Sequence, residues 1–168
     1  MGKQNQMFFE KILNIGACAD DNETLKLKKS SLIIVPLIIG PAALIWGLIY
    51  IFLDHYLSAS IPLSYVFISV FNLWYLYVSK NIIPLYLVQM ILVLLLPFFL
   101  MWSLGGFALG SFVFIWAFFA PIAALIYETK TKALYWFYAF MLLIFVSSLI
   151  DQIYRTYASN GDCTFLFS

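Results

Sequence analysis

The most constraining feature of the sequence is a long central run, from Asn81 to Tyr127, that contains no charged residue. Lys80 and Glu128 flank it on either side. A helix that crosses the hydrocarbon core of a bilayer needs roughly 20 apolar residues. The run is therefore long enough for two crossings joined by a tight turn, and it indicates an integral membrane protein.

The composition of the whole chain agrees with that interpretation. Hydrophobic residues make up 64% and charged residues 10% of the 168 residues, whereas soluble domains average roughly 45–50% and about 25%. A soluble fold of this length could not cover so much apolar surface with so few charges. The fold class that we predict is all-α, a polytopic transmembrane helical bundle.

Apolar runs divide the chain into a cytoplasmic N-terminal segment (1–30), a transmembrane helical domain (31–151) and a short non-cytoplasmic tail (152–168). Asp20 and Glu23 have capping-box spacing, which predicts a helix that starts near them and enters the membrane without a break. We predict about five spanning helices. They are Leu32–Leu53, Ile61–Val78, Ile83–Trp102, Phe107–Tyr127 and Ala133–Ile150.

The distribution of Lys and Arg between the short loops predicts the orientation. Five lysines precede the first span, Lys80 follows the second, and Lys130 and Lys132 precede the fifth. Arg155 alone lies on the opposite side. The N-terminus is therefore predicted in the cytoplasm, and five crossings place the C-terminus outside.

Residues 102–107, with the sequence WSLGGF, are predicted to form the outer turn of a hairpin between the third and fourth helices, because glycine permits the backbone angles of a tight turn. Gly106 and Gly110, followed by Ser111, would place small residues on one face of the fourth helix, where another helix can approach closely. Two interpretations stay open. The turn is purely structural, or its tryptophan belongs to an outward-facing pocket.

Two amide side chains, Asn72 and Gln89, fall in the middle of the second and third spans. An amide in hydrocarbon needs a partner, so an interhelical hydrogen bond worth roughly 0.6–2 kcal/mol is the expected role, and lining a pocket is the alternative. The candidate ligand pocket comprises Trp102, Asn72, Gln89 and Trp116, and a small lipophilic ligand would suit its apolar walls.

Residues suited to chemistry are few. The sequence contains no HExxH, GxGxxG or CxxC motif, so we predict no catalytic residue, no metal site, no cofactor and no nucleic-acid partner. Acids at helix ends in contact with water are inexpensive to place, which describes Glu128 and Asp151. His55 beside Asp54 leaves a ligand or proton sensor open as an alternative to a solvated loop.

Several segments together resemble a known family. They are NIGA with DDNETLKLKKS, PAALIWGLIYIFL, and LPFFLMWSLGGF with GSFVFIWAFFAPIAALIY. In this combination the chain, over about residues 12–155, resembles the N-terminal multi-helix membrane domain of bacterial class III adenylate/guanylate cyclases, and related domains occur on sensor histidine kinases. The resemblance implies six helices ahead of a cytoplasmic linker and a catalytic domain.

The sequence departs from this pattern after Ile150, where only DQIYRTYASNGDCTFLFS remains, without a sixth helix or a catalytic domain. We therefore expect a membrane anchor or receptor-like sensory domain of a signalling protein, not itself an enzyme. The resemblance also implies a bacterial plasma membrane and a homodimer formed through the helical bundle. The alternative is a small stand-alone transporter or channel-like protein.

Overall fold

The computed structural model of the protein describes residues 22–107, 109–110 and 112–159. Within these ranges the secondary structure is helical, without strands. The predicted all-α class is thereby confirmed. The α-helices are α1 (Glu23–Phe52), α2 (Tyr56–Ser79), α3 (Ile82–Ser103), α4 (Phe119–Tyr127) and α5 (Lys130–Ser159), and a 3-10 helix (Val113–Phe118) directly precedes α4.

Four of these helices are long and apolar enough to cross a membrane. The candidate spans are Lys26–Phe52, Tyr56–Ser79, Ile82–Ser103 and Lys130–Ile153, and Val113–Tyr127 is a shorter apolar helix. Large apolar side chains are exposed along all four long helices, as expected of surfaces that contact lipid. The chain is a membrane-integrated helical protein.

The chain packs as two units, one through Gln89 and the other from Met90 onward, and α3 passes from the first into the second. In the first unit α1 starts where the Asn22 side chain accepts a hydrogen bond from the Glu23 N–H (2.8 Å) and continues unbroken into its candidate span, as predicted. α1 and α2 approach closely at Gly47, because an added Cβ would lie 2.7 Å from the Leu63 side chain.

In the second unit α3 and α5 run parallel. The ring centroids of Phe98 and Phe140 lie 6.0 Å apart, and four residues further along α3 the Trp102 Nε1 lies 2.9 Å from the Ser147 Oγ. From the first contact to the second, the residue number increases along both helices, so the two helices run in the same direction. The chain that connects the end of α3 to the start of α5 must therefore run back in the opposite direction.

The described residues of 107–127 (107, 109–110 and 112–127), which we call the return segment, make that passage antiparallel to α5. Its contacts, and the ion pair just after it, involve residues at successive positions along α5. These pairs are Phe107 N with Asp151 Oδ1 (3.2 Å), the rings of Phe118 and Phe140 (5.4 Å), and Glu128 with Lys132 (3.1 Å). The return segment thus accompanies α5 over about 28 Å, at 1.5 Å per residue of α5.

The predicted fourth helix, Phe107–Tyr127, needs correction. Its α-helical part begins only at Phe119, and a 3-10 helix of 6 residues precedes it. The physical reason lies in the backbone of the preceding turn: Gly105, Gly106 and Phe112 have positive φ, which a right-handed α-helix does not contain, so helical structure resumes only after Phe112.

The expected place of Gly106 and Gly110 on a face of that helix is also wrong. Gly106 has φ +98° and both glycines lie in the turns before the 3-10 helix. A Cβ on Gly110 would lie 2.8 Å from the Gly106 carbonyl oxygen and from the Met101 Cγ. The small residues therefore let the turn fold tightly onto α3, and Ser111 lies outside the described residues.

The fifth helix extends further than predicted, from Lys130 to Ser159 instead of from Ala133 to Ile150. α5 therefore continues into the part of the sequence predicted as a short tail (152–168). The part of that tail from residue 160 onward lies outside the described residues.

Candidate functional site

A buried polar ladder joins α2 to α3 in the first unit. It consists of Tyr65, Ser69, Asn72 and Gln89, all between 3% and 5% exposed. The three α2 residues fall on one helical face because they are spaced by four and three residues. The ladder therefore occupies the inner face of α2, at the middle of its candidate span.

Gln89 is the central residue of the ladder. Its Oε1 accepts a hydrogen bond from the Tyr65 hydroxyl at 3.2 Å, and its Nε2 donates to the Ser69 Oγ at 3.1 Å. One amide thus satisfies two hydroxyl side chains, using its acceptor for one and its donor for the other.

Asn72 bonds to backbone instead of to another side chain. Its Nδ2 donates to the Leu85 carbonyl oxygen at 3.3 Å. The interhelical hydrogen bonds expected of Asn72 and Gln89 are therefore present. Sequence reasoning missed Tyr65 and Ser69, although their spacing from Asn72 along one face of a predicted helix was a usable signal.

The second polar cluster surrounds residues 102–107, which we call the glycine turn. Gly105 (φ +96°) and Gly106 (φ +98°) occupy the positive φ region. The Gly106 N–H donates to the Met101 carbonyl oxygen at 3.0 Å and the Gly105 N–H to that of Trp102 at 3.2 Å. This pair of bonds is the Schellman arrangement, which satisfies carbonyl groups at the end of α3.

Two hydrogen bonds fix the glycine turn to α5, and we call them the turn clamp. The Trp102 Nε1 donates to the Ser147 Oγ at 2.9 Å, and the Phe107 N–H donates to the Asp151 Oδ1 at 3.2 Å. Ser147 and Asp151 are four residues apart and share one face of α5. A Cβ on Gly106 would collide with the Asp151 carboxylate, so the turn and the acid are in close contact.

The four residues of the predicted ligand pocket fall in different units. Asn72 and Gln89 belong to the ladder of the first unit, and Trp102 belongs to the turn clamp of the second. Trp116 lies in the 3-10 helix, is 58% exposed, and stacks at 5.6 Å from Phe119. The pocket stays a prediction, because the observed bonds of the two amides are those of helix packing.

The remaining polar candidates lie at helix ends. The Asp54 carboxylate accepts a hydrogen bond from the Tyr56 hydroxyl at 3.1 Å, and His55 is the exposed residue that precedes α2. Glu128 pairs with Lys132 at 3.1 Å. Across the described ranges no three His, Cys, Asp or Glu side chains come together in a way that could hold a metal ion.

The chain matches no protein-family model, no curated protein and no solved structure. Its function is therefore argued from the two polar clusters and from the segments quoted above. The ladder can hold α2 and α3 in one register, and the turn clamp can hold the glycine turn on α5. Both are hydrogen-bonding roles in which no covalent chemistry takes part.

Proposed function

We propose that the chain is a membrane anchor and receptor-like sensory domain of a class III nucleotide cyclase or related signalling protein, with no catalysis of its own. The observation that carries the anchoring role is the polar ladder, in which the side chains of Asn72 on α2 and Gln89 on α3 each form hydrogen bonds to the opposite helix. The resemblance of residues 12–155 to cyclase membrane domains supports the signalling role.

The ladder favours an anchor over the alternative, a transporter or channel. A polar side chain on a solute path must exchange its partners with water or the solute, whereas these groups are buried and bonded to one another. Interhelical bonds of this kind are worth about 0.6 kcal/mol each in membrane proteins. Their main effect is to fix which residues of two apolar helices lie opposite one another.

The proposal includes an orientation and partners. The N-terminus lies in the cytoplasm of a bacterium, the helices lie in its plasma membrane, and the chain after α5 lies outside, in keeping with the Lys and Arg distribution. A second copy of the chain binds through the apolar helix surfaces. A small lipophilic ligand binds near Trp102 on the outer side.

The catalytic part of the proposal is tested with the purified chain in detergent or nanodiscs. Incubation with ATP or GTP and magnesium should give no cyclic nucleotide and no hydrolysis above an empty-nanodisc control. Product formation that depends on the chain would refute the assignment. Trp102→Ala supplies a matched variant, since it should change the binding of a lipophilic ligand and leave this baseline unaffected.

The anchoring and transport alternatives are separated in sealed vesicles. Vesicles that contain the chain should retain trapped K⁺, Na⁺ and protons as well as protein-free vesicles do. Flux that scales with the amount of chain, and that Gln89→Met abolishes, would favour a channel lined by the ladder. Sequencing the gene beyond codon 168 tests the signalling assignment separately, because cyclase or kinase motifs should follow in frame.

A further inference from the structure

The return segment contacts α5 near both ends, and a 3-10 helix lies between these contacts. The turn clamp fixes the outer end, where the Phe107 N–H bonds to Asp151. At the other end Glu128 pairs with Lys132, while the rings of Phe118 and Phe140 pack in between. The 3-10 helix Val113–Phe118 follows the turn clamp along the chain and ends at the Phe118 contact.

Two features mark this stretch as a strained conformation. A 3-10 helix longer than three or four residues is uncommon because its hydrogen bonds are poorly aligned, and this one has 6 residues. Phe112, which precedes it, has φ +56°, an unfavourable value for a bulky side chain. The i to i+3 bonds are present, from Val113 N to Gly110 O and from Ile115 N to Phe112 O, each 3.0 Å.

We propose that Val113–Phe118 is a two-state element that converts between a 3-10 helix and an α-helix, and that the turn clamp selects the 3-10 state. Conversion would shorten the stretch by about 3 Å and unwind it by about a third of a turn, since six residues make 2.0 turns of 3-10 helix and about 1.7 turns of α-helix. With α4 fixed on α5, the glycine turn would move by that distance and rotation.

Such a movement separates the Phe107 N–H from Asp151, because a hydrogen bond tolerates only a few tenths of an ångström of extension. Docking of the glycine turn on α5 and the helical state of Val113–Phe118 are therefore coupled. A molecule that displaces the glycine turn from Asp151 would therefore shift the turn by this defined distance along the return segment. This device belongs to the second unit alone and stands whether or not the chain serves a signalling protein.

The change in length of Val113–Phe118 can be measured with spin labels in the full chain reconstituted in nanodiscs. Leu109 and Leu125 are 62% and 64% exposed and bracket the 3-10 helix, so cysteines at these positions report its length once Cys18 and Cys163 are replaced by serine. A pair at Leu125 and Leu134, on α4 and α5, serves as the control that should not change. Pulsed electron paramagnetic resonance gives the distance distributions.

The parent chain should give one distance between positions 109 and 125. Asp151→Ala, which removes the acceptor, should add a component about 3 Å shorter, whereas Asp151→Asn keeps an acceptor oxygen and should match the parent. An unchanged distribution in Asp151→Ala, with the control pair intact, would overturn the proposal.

Phe112 supplies an independent pair of variants, in case Asp151→Ala does not fold. Glycine accepts a positive φ freely and should deplete any short component, whereas the β-branched residue of Phe112→Val resists it and should enrich that component. Identical distributions in Phe112→Gly and Phe112→Val would show that the strained backbone does not drive a conversion. The side chain of Phe112 is 58% exposed, so neither change empties a core.

Discussion

The two adjacent glycines of the turn provide a matched pair of substitutions that isolates the contact with Asp151. Gly105→Ala and Gly106→Ala place a methyl group at nearly the same backbone conformation, φ +96° and +98°. The strain of a side chain at positive φ, about 1–2 kcal/mol, is therefore common to both variants and cancels in the comparison. What differs is the neighbour that the new Cβ meets.

At Gly105 the nearest atom is the Leu109 Cδ1, at 2.9 Å, and this exposed side chain can rotate away at little cost. At Gly106 it is the Asp151 carboxylate, which is held in place by the Phe107 N–H. Moving Asp151 breaks a hydrogen bond to a charged group, worth about 1.5–3 kcal/mol. We expect Gly106→Ala to lower the free energy of unfolding more than Gly105→Ala does, by about that amount.

Equilibrium unfolding in mixed micelles, followed by tryptophan fluorescence, measures the difference. Its origin is checked in an Asp151→Ala background, where the two glycine variants should become equal. Equal destabilisation in the parent background would refute the close contact between the turn and α5. A difference that persists without Asp151 would show that the glycine turn is constrained by something other than the turn clamp.

Three further outcomes are expected. In the ladder, Gln89→Met should lower the free energy of unfolding in micelles by about 1–2 kcal/mol. Tyr65→Phe should be less destabilising in the Gln89→Met background than in the parent, with a coupling energy near 0.6 kcal/mol. Fully additive effects of the two substitutions would argue against the hydrogen bond between them. Gly47→Ala should destabilise by about 1–3 kcal/mol through overpacking, and a smaller residue at Leu63 should relieve that cost; equal costs in both backgrounds would contradict the close approach. A cysteine at Ser103 should be labelled from outside the cell. A reporter fused after Ser168, which lies outside the described residues, should be active outside the cytoplasm; labelling of Ser103→Cys from the cytoplasm would contradict the predicted orientation.

The sequence predicts the long helices well because their length and their apolar character are both local properties. The charge-free run and the charged residues that flank it indicate where the crossings lie. The return segment could not be predicted in the same way. Its apolar residues fit an α-helix and a 3-10 helix equally, and no local pattern predicts the positive φ of Phe112 that precedes the 3-10 helix.

The candidate site was predictable in part for a similar reason. An amide in hydrocarbon needs a partner, so Asn72 and Gln89 could be identified as helix-pairing residues from the sequence alone. Their partners depend on the register of α2 and α3, which no local pattern specifies. Asp151 could be identified as an acid at a helix end, but its bond to the Phe107 N–H exists only because the return segment brings the turn back to α5.

The chemistry of the two clusters assigns them different mechanical roles. The ladder uses neutral amide and hydroxyl groups at mid-span, where water cannot replace a broken bond, so its opening leaves unpaired polar atoms in hydrocarbon. The turn clamp includes a carboxylate near the end of the α5 span, and a charge is tolerated there because water reaches it. Water can compete for the Phe107 N–H once the turn moves, which lowers the cost of opening. The ladder is therefore the part that fixes helix register, and the glycine turn is the part that can open at lower cost.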